Sequence, residues 1–268
     1  MINTIVLVKL AIDVGQLRID PSTGRPLIDE APLKISDIDR MAIEEAVRIK
    51  EKHGGKITSI SVLTWGPFNK RVSEAEMPLR EALAMGVDEA ILITDENLLQ
   101  ADTKTTASAI VGAIKKLGGA DLIIAGEGTI DGFSGVVGSR VSTELNIPLI
   151  TYARKIELKG NILTAERDLE DYIEVVETTT PAVVTVTREI NTPRLPTLLQ
   201  IRMAIKKPLK KISLSEIGVE VDPKIKPFII EGVKVKRKNV MVDGKTPEEL
   251  VENLIKKLVD EGIVTPRR

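Results

Sequence analysis

The chain has 268 residues, 43% of them hydrophobic, and a formal net charge of -1, enough apolar material for one large core with a smaller appendage and too balanced a charge for a nucleic-acid coat. With no cysteine, disulfides, thiolate metal sites and cysteine nucleophiles are excluded, and a single histidine, His53, leaves little for a histidine-based metal cluster or triad, so neither a catalytic side chain nor a metal ligand is assigned. Aromatic residues make up 2%, few for a single-stranded nucleic-acid platform, and with no visible signal peptide or run approaching ~20 apolar residues a cytoplasmic location is expected.

Thr4 to Leu10 reads as a buried strand that gives way to a loop at Ala11-Ile12-Asp13. Gly15 to Leu33 is turn-rich, and Asp20-Pro21-Ser22-Thr23-Gly24-Arg25-Pro26 marks a hairpin or lid. Ser36 or Asp37 caps a helix through Lys52, with Met41, Ala42, Ala46 and Ile49 on its apolar side; His53 lies at its polar end as a solvated cap residue. Lys56 to Leu63 is the next strand, ending in Thr64-Trp65-Gly66-Pro67, which completes a βαβ unit. Ser73 to Met85 reads as a helix, Glu89 to Ile93 as a strand, and Thr103 to Leu117 as a small-residue-rich helix able to pack closely on a sheet.

Leu122 to Ala125 is a strand feeding Gly126-Glu127-Gly128-Thr129-Ile130-Asp131-Gly132-Phe133-Ser134-Gly135-Val136-Val137-Gly138, and Gly135 to Leu145 is the helix after it. At the carboxyl end of a strand in an open α/β sheet, such a loop receives phosphates. Small residues let backbone approach the ligand, Asp131 either fixes the turn or reaches a ribose hydroxyl, and Ser134 with neighbouring N–H groups meets an anion at a helix N-terminus. No Gly-Lys-Ser/Thr follows, so it is not a Walker A loop, and its glycines are not a dinucleotide GxGxxG. The alternative is a glycine-rich helix cap in an ordinary α/β unit.

Leu149 to Ile156, Asn161 to Asp168 and Tyr172 to Glu177 read as strands of an antiparallel excursion beside a mainly parallel sheet, and Ala182 to Thr187 is a further β-rich run. After Glu189 the character changes. Asn191-Thr192-Pro193-Arg194-Leu195-Pro196-Thr197 is stiff and irregular, Leu198 to Ile205 reads as a short helix, Lys206 to Lys211 carries four lysines, and Leu214 to Val235 has no strong helical period. Pro247 to Glu261 is an amphipathic helix with Pro at its first turn. The division expected is an α/β nucleotide-binding domain over 1–190 and a partner-recognition arm with a C-terminal helix over 191–268.

Val6 to Asp13, Ala42 to Glu51, Ala82 to Asp88, the glycine loop, and above all Pro181-Ala182-Val183-Val184-Thr185-Val186 followed by Asn191, Pro193-Arg194 and the lysines agree in order and spacing with one family. Over almost its whole length the chain resembles the beta subunit of electron transfer flavoprotein. The resemblance implies a Rossmann-like, adenine nucleotide alpha hydrolase-like α/β fold: a mainly parallel sheet flanked by helices, with an antiparallel excursion and a C-terminal arm. It also implies a heterodimer with an alpha subunit that holds the electron-transferring FAD, and chemistry carried by flavin instead of by side chains. The beta subunit would bind AMP in ordinary members, or a second FAD in members that bifurcate electrons from NADH.

Gly132 directly after Asp131, and Ala101 to Ala107, resemble the bifurcating branch; Glu127-Gly128-Thr129 and Leu10 to Val14 depart from it, and Trp65 is bulky for a position beside a nucleotide. The second FAD is the favoured ligand, with AMP the alternative. Leu7, Val8, Asp13, Ser36, Trp65, Asp102, Thr103, Thr106, Gly126, Asp131, Gly132, Ser134, Gly135, Val136, Val137 and Gly138 are assigned to it. Arg194, Leu195 and Leu198 are assigned to partner binding, Leu198 as the anchor entering a pocket on a flavin dehydrogenase. A quinone-linked oxidoreductase is the other expected partner of an ordinary member, and ferredoxin with NADH those of a bifurcating one. A module binding nucleic acid through Lys206, Lys207, Lys210 and Lys211 is the reading from another class, disfavoured because the rest of the chain lacks a basic face.

Overall fold

The computed structural model describes residues 1–221, 225, 230–232 and 237–265. Of the irregular stretch expected between Leu214 and Val235, residues 222–224, 226–229 and 233–235 therefore lie outside the described residues. The chain forms two compact units, Met1–Glu231 and Gly232–Arg268. The first extends past the expected boundary at 190 because the lysine-rich segment supplies a strand to its sheet.

In chain order the first unit contains strands β1 (Ile2–Leu7), β2 (Leu10–Ile12) and β3 (Leu33–Ile35), helix α1 (Asp37–His53), β4 (Gly55–Val62), α2 (Phe68–Glu74), α3 (Glu76–Met85), β5 (Glu89–Ile93), α4 (Thr103–Lys116) and β6 (Leu122–Gly126). It continues with α5 (Val137–Leu145), β7 (Leu149–Lys159), β8 (Ile162–Asp168), β9 (Ile173–Thr179), β10 (Ala182–Val186), α6 (Leu198–Ala204) and β11 (Leu209–Ile212). Nine strands form one sheet in the order β11-β5-β4-β1-β6-β10-β7-β8-β9. Strands β11 through β7 are parallel, and β8 and β9 extend the sheet antiparallel, as the alternating pattern after Leu149 predicts. The parallel strands β1, β5, β6 and β10 are largely apolar and buried along their length because both faces are covered. Val6, Ile124 and Val184 pack on one side with Ala42, Ile43 and Leu83 of α1 and α3. Ile5, Ile123 and Val183 pack on the other with Ile110, Ile114 and Val141 of α4 and α5.

Two local readings change. The helix expected over Ser73 to Met85 is divided at Ala75 into α2 and α3. The turn-rich stretch before Leu33 is closed at its base by pairing of β2 with β3, and Ile19 bridges Pro26 within it. Fully buried Arg71 ties that stretch to α2 by donating to the Ile28 and Ala31 carbonyls at 2.6 and 2.8 Å.

From β1 the chain moves outward through β4 and β5, then returns across to β6 on the other side of β1. The order of the strands therefore reverses between β1 and β6, the place where an open α/β sheet leaves a crevice beyond its carboxyl edge.

The second unit contains α7 (Pro247–Asp260). Its N-cap Thr246 accepts from the Glu249 N–H, Asn253 donates to the Asp243 carbonyl at 2.8 Å, and Lys238 pairs with Glu261.

Candidate nucleotide cleft

The crevice is walled by the carboxyl ends of β1 (Leu7, then Val8 and Lys9), β4 (Ile60, Val62, then Thr64) and β6 (Ala125, Gly126), by the start of α4, and by the loop from Glu127 to Gly138. It brings together ten of the residues expected to bind a nucleotide: Leu7, Val8, Thr103, Thr106, Gly126, Ser134, Gly135, Val136, Val137 and Gly138. The loop enters α5 through Gly135 at φ 66°, a left-handed conformation that favours glycine. Gly138 packs against the strand beside it: a Cβ there would stand 2.7 Å from the Thr185 methyl.

The two helices facing the crevice end differently. Helix α4 is capped by Asp102, whose carboxylate accepts from the Thr105 N–H at 2.7 Å. Helix α5 begins after Val136, which has no side-chain oxygen to offer, so its first N–H groups receive no side-chain cap. A helix start in that state, bordered by small residues and open to a cleft, matches the donor set of an anion site.

Of the other expected ligands, Asp131 does not face the cleft. Its side chain is 3% exposed and accepts from Lys9 Nζ at 2.7 Å, Thr129 Oγ1 at 2.8 Å, Trp65 Nε1 at 3.0 Å and the Ile12 N–H at 3.2 Å. Of the two roles left open for it, the geometry gives the turn-fixing one. Burial pushes its carboxyl up, but the Lys9 charge and these hydrogen bonds outweigh burial and hold it below the ordinary aspartate value. Trp65 turns its indole toward Asp131, and Lys9 lies 5.7 Å from the ring centroid, so its bulk is outside the cleft wall. Asp13 accepts from the Gly15 N–H and from Gln16. Ser36 precedes α1 without capping it, and its buried hydroxyl has no partner among the described residues. Asp102 serves as the α4 cap and also accepts from the Ile225 N–H. Gly132 lies beside Lys9 Nζ.

Asp39 is not among the residues expected at the site. It is 3% exposed, lines the cleft, and accepts from the Lys9 N–H at 2.7 Å. Burial pushes its carboxyl up to about 7, against the opposing hydrogen bonds from Lys9 and the Gly126 N–H. A Cβ on Gly126 would stand 2.6 Å from Asp39 Oδ1, so the glycine is needed for this approach. The only sequence signal was an acid on the buried side of α1. Glu127, Thr64, Thr129 and Thr185 also line the cleft without having been assigned to it.

Farther along, Arg194 is engaged within its own chain: it donates to Glu44 at 2.7 Å and to Glu51 at 2.6 Å, and these two carboxylates raise its pKa. It fastens the segment before α6 to α1. Leu195 and Leu198 are 91% and 79% exposed. Thr197 and Gln200 close a capping box at the start of α6.

The family profile of the electron transfer flavoprotein domain matches residues 27–217. The chain is 38% identical over 270 residues to the electron transfer flavoprotein subunit beta of Thermoanaerobacterium thermosaccharolyticum, covering 98% of this chain and 100% of that one. It is 37% identical over 265 residues to the protein of the same name from Bacillus subtilis, with 98% and 99% covered. It is also 31% identical over 266 residues to the caffeyl-CoA reductase-Etf complex subunit CarD of Acetobacterium woodii, with 97% and 99% covered. With an α/β body of this topology and similarity extending over nearly the full chain, the protein belongs to the electron transfer flavoprotein beta-subunit family, whose members work in flavin-linked electron transport beside an alpha subunit.

Proposed function

We propose that the cleft between β1 and β6 holds the adenylate portion of a second FAD, and that the heterodimer takes electrons from NADH and divides them between a low-potential carrier such as ferredoxin and a higher-potential acceptor. The observation that carries the nucleotide reading is the uncapped start of α5 opening onto the cleft. There the backbone N–H groups and the helix dipole favour a phosphate, while Gly135 gives the loop its left-handed turn into the helix and Gly138 lets the helix start pack close on the sheet. Leu7, Val62 and Val137 supply apolar wall for a ring.

FAD is preferred to AMP on two grounds. The bulk of Trp65 is drawn aside by Asp131, and the first turn of α4, with Thr103 and Thr106, adds a wall beyond the glycine loop. Bound flavin supplies hydride and single-electron chemistry; the chain's own residues bind it, exclude water and fix its place. Counting released cofactors after denaturing the purified heterodimer tests the reading. Two FAD per heterodimer are expected; one FAD plus AMP would make this an ordinary member serving dehydrogenases and a quinone-linked acceptor, and absence of any adenylate beyond the alpha-bound FAD would remove the nucleotide assignment.

The partner-facing element under this reading is α6, with Leu195 and Leu198 projecting and Leu198 entering a pocket on a dehydrogenase. The solvent-exposed apolar residues of α7, Val251 and Ile255 among them, are assigned to the alpha subunit.

A further inference from the structure

Besides the α5 start, the cleft holds a second polar feature that no hydrogen bond among the described residues explains. Glu127 follows Gly126 at the end of β6, and its N–H donates to the Val186 carbonyl at 2.9 Å. That bond continues the β6–β10 ladder and fixes the residue's backbone. The side chain is half-buried and lines the cleft, yet its carboxylate forms neither a hydrogen bond nor an ion pair among the described residues. Asp131 and Asp39, the other acids at this edge, both accept hydrogen bonds. The charges that act on Glu127 are Glu189, Arg188 and Asp168; together with burial, the two acids raise its carboxyl.

A carboxylate that lines a cleft and has no donor among the described residues leaves its acceptor oxygens open to a bound molecule's hydroxyl or N–H. Phosphate is the poorer partner, since two of the three charges that act here, Glu189 and Asp168, are negative and Arg188 alone is positive. Hydroxyls are the right one: a carboxylate at the carboxyl edge of an α/β sheet accepts from sugar hydroxyls and repels a phosphate placed on them. The cleft thus offers N–H donors for an anion at the α5 start and a charged acceptor at the end of β6.

We propose that Glu127 selects the ligand by its sugar: it accepts a hydrogen bond from a ribose hydroxyl of the bound adenylate and excludes adenylates phosphorylated at that hydroxyl. The proposal rests on the adenylate reading of the cleft and goes beyond it by assigning the discriminating residue.

The test uses the heterodimer co-purified with its alpha subunit and freed of beta-bound nucleotide. Calorimetric titration compares 5′-AMP, adenosine 2′,5′-bisphosphate and adenosine 3′,5′-bisphosphate in wild type, Glu127→Gln and Glu127→Lys. Wild type is expected to bind 5′-AMP about tenfold or more tighter than at least one bisphosphate. Glu127→Gln, which keeps shape and hydrogen bonding, should erase most of that preference, and Glu127→Lys should reverse it. The glutamine variant decides the matter if the lysine variant does not fold. Equal selectivity in wild type and Glu127→Gln, with 5′-AMP still bound, overturns the role of Glu127 and leaves the adenylate site standing. No binding of any of the three to wild type overturns both.

Discussion

Lys9 is met by two carboxylates from its two ends, and burial affects them differently. Asp131 takes the ammonium and three further donors, so its charge is kept. Asp39 takes the backbone N–H and is almost wholly out of water, so its carboxyl rises from 3.8 to about 7. Between those two values the folded protein holds a proton that the unfolded chain has released. Stability contributed by this group therefore falls as pH rises from about 4 to about 7 and changes little above that, by roughly 4 kcal/mol at most. Replacing Asp39 by Asn removes the titration. Denaturant unfolding of the two proteins is expected to show wild type better placed relative to Asp39→Asn at pH 5 than at pH 8; a gap that does not change with pH would show that Asp39 ionises normally. None of this was legible in the sequence, because an aspartate at the start of an amphipathic helix looks solvated until the glycine opposite it is known. The direction of Trp65 was not legible for a related reason: its position after a strand was clear, but where the side chain turns depends on Asp131, distant in sequence.

At the scale of elements, the parallel strands and their helices were legible from apolar runs bounded by glycine and proline, and so was the glycine loop. Strand β11 was not. Its sequence, Leu209-Lys210-Lys211-Ile212, shows two lysines between its apolar ends, and among the described residues it pairs only on its β5 side, where Glu89 draws in Lys210 at 2.5 Å. An edge strand of this composition reads as a solvated arm. The seven-residue helix α6 was foreseen, and its exposure makes a clean test of docking. Leu198→Ala removes a side chain that is 79% exposed, so unfolding free energy should change by no more than about 0.5 kcal/mol. Electron exchange with a partner dehydrogenase, followed by stopped-flow flavin absorbance, should slow substantially. Unchanged exchange, or a large loss of stability, would assign Leu198 to structure instead.

For the whole molecule, the reversal of strand order at β1 is what gathers residues from six separate segments at one edge, and βαβ alternation in the sequence was enough to anticipate an edge of that kind. The extent of the body was less legible, since pairing of β11 depends on contacts from beyond the expected boundary. The exposed apolar face of α7, with Val251 and Ile255 each 54% exposed, suits an obligate subunit. Expressed alone, the chain should elute as aggregated or cofactor-poor material and recover a single peak with full flavin content on co-expression with alpha; a well-behaved, fully loaded solitary chain would rule out obligate pairing. The fastening of α6 has a kinetic consequence. Arg194 holds the approach to the helix, Arg80 donates to the Ala204 carbonyl at 3.0 Å at its end, and Lys207 donates to the Leu83 and Val87 carbonyls before the chain enters β11. Its leucines are thus presented already ordered, and in the proposed docking role a visiting protein would have little chain entropy to overcome in gripping them. With so small a handle such a grip would also release quickly, and short residence times would let one carrier serve successive donors and acceptors.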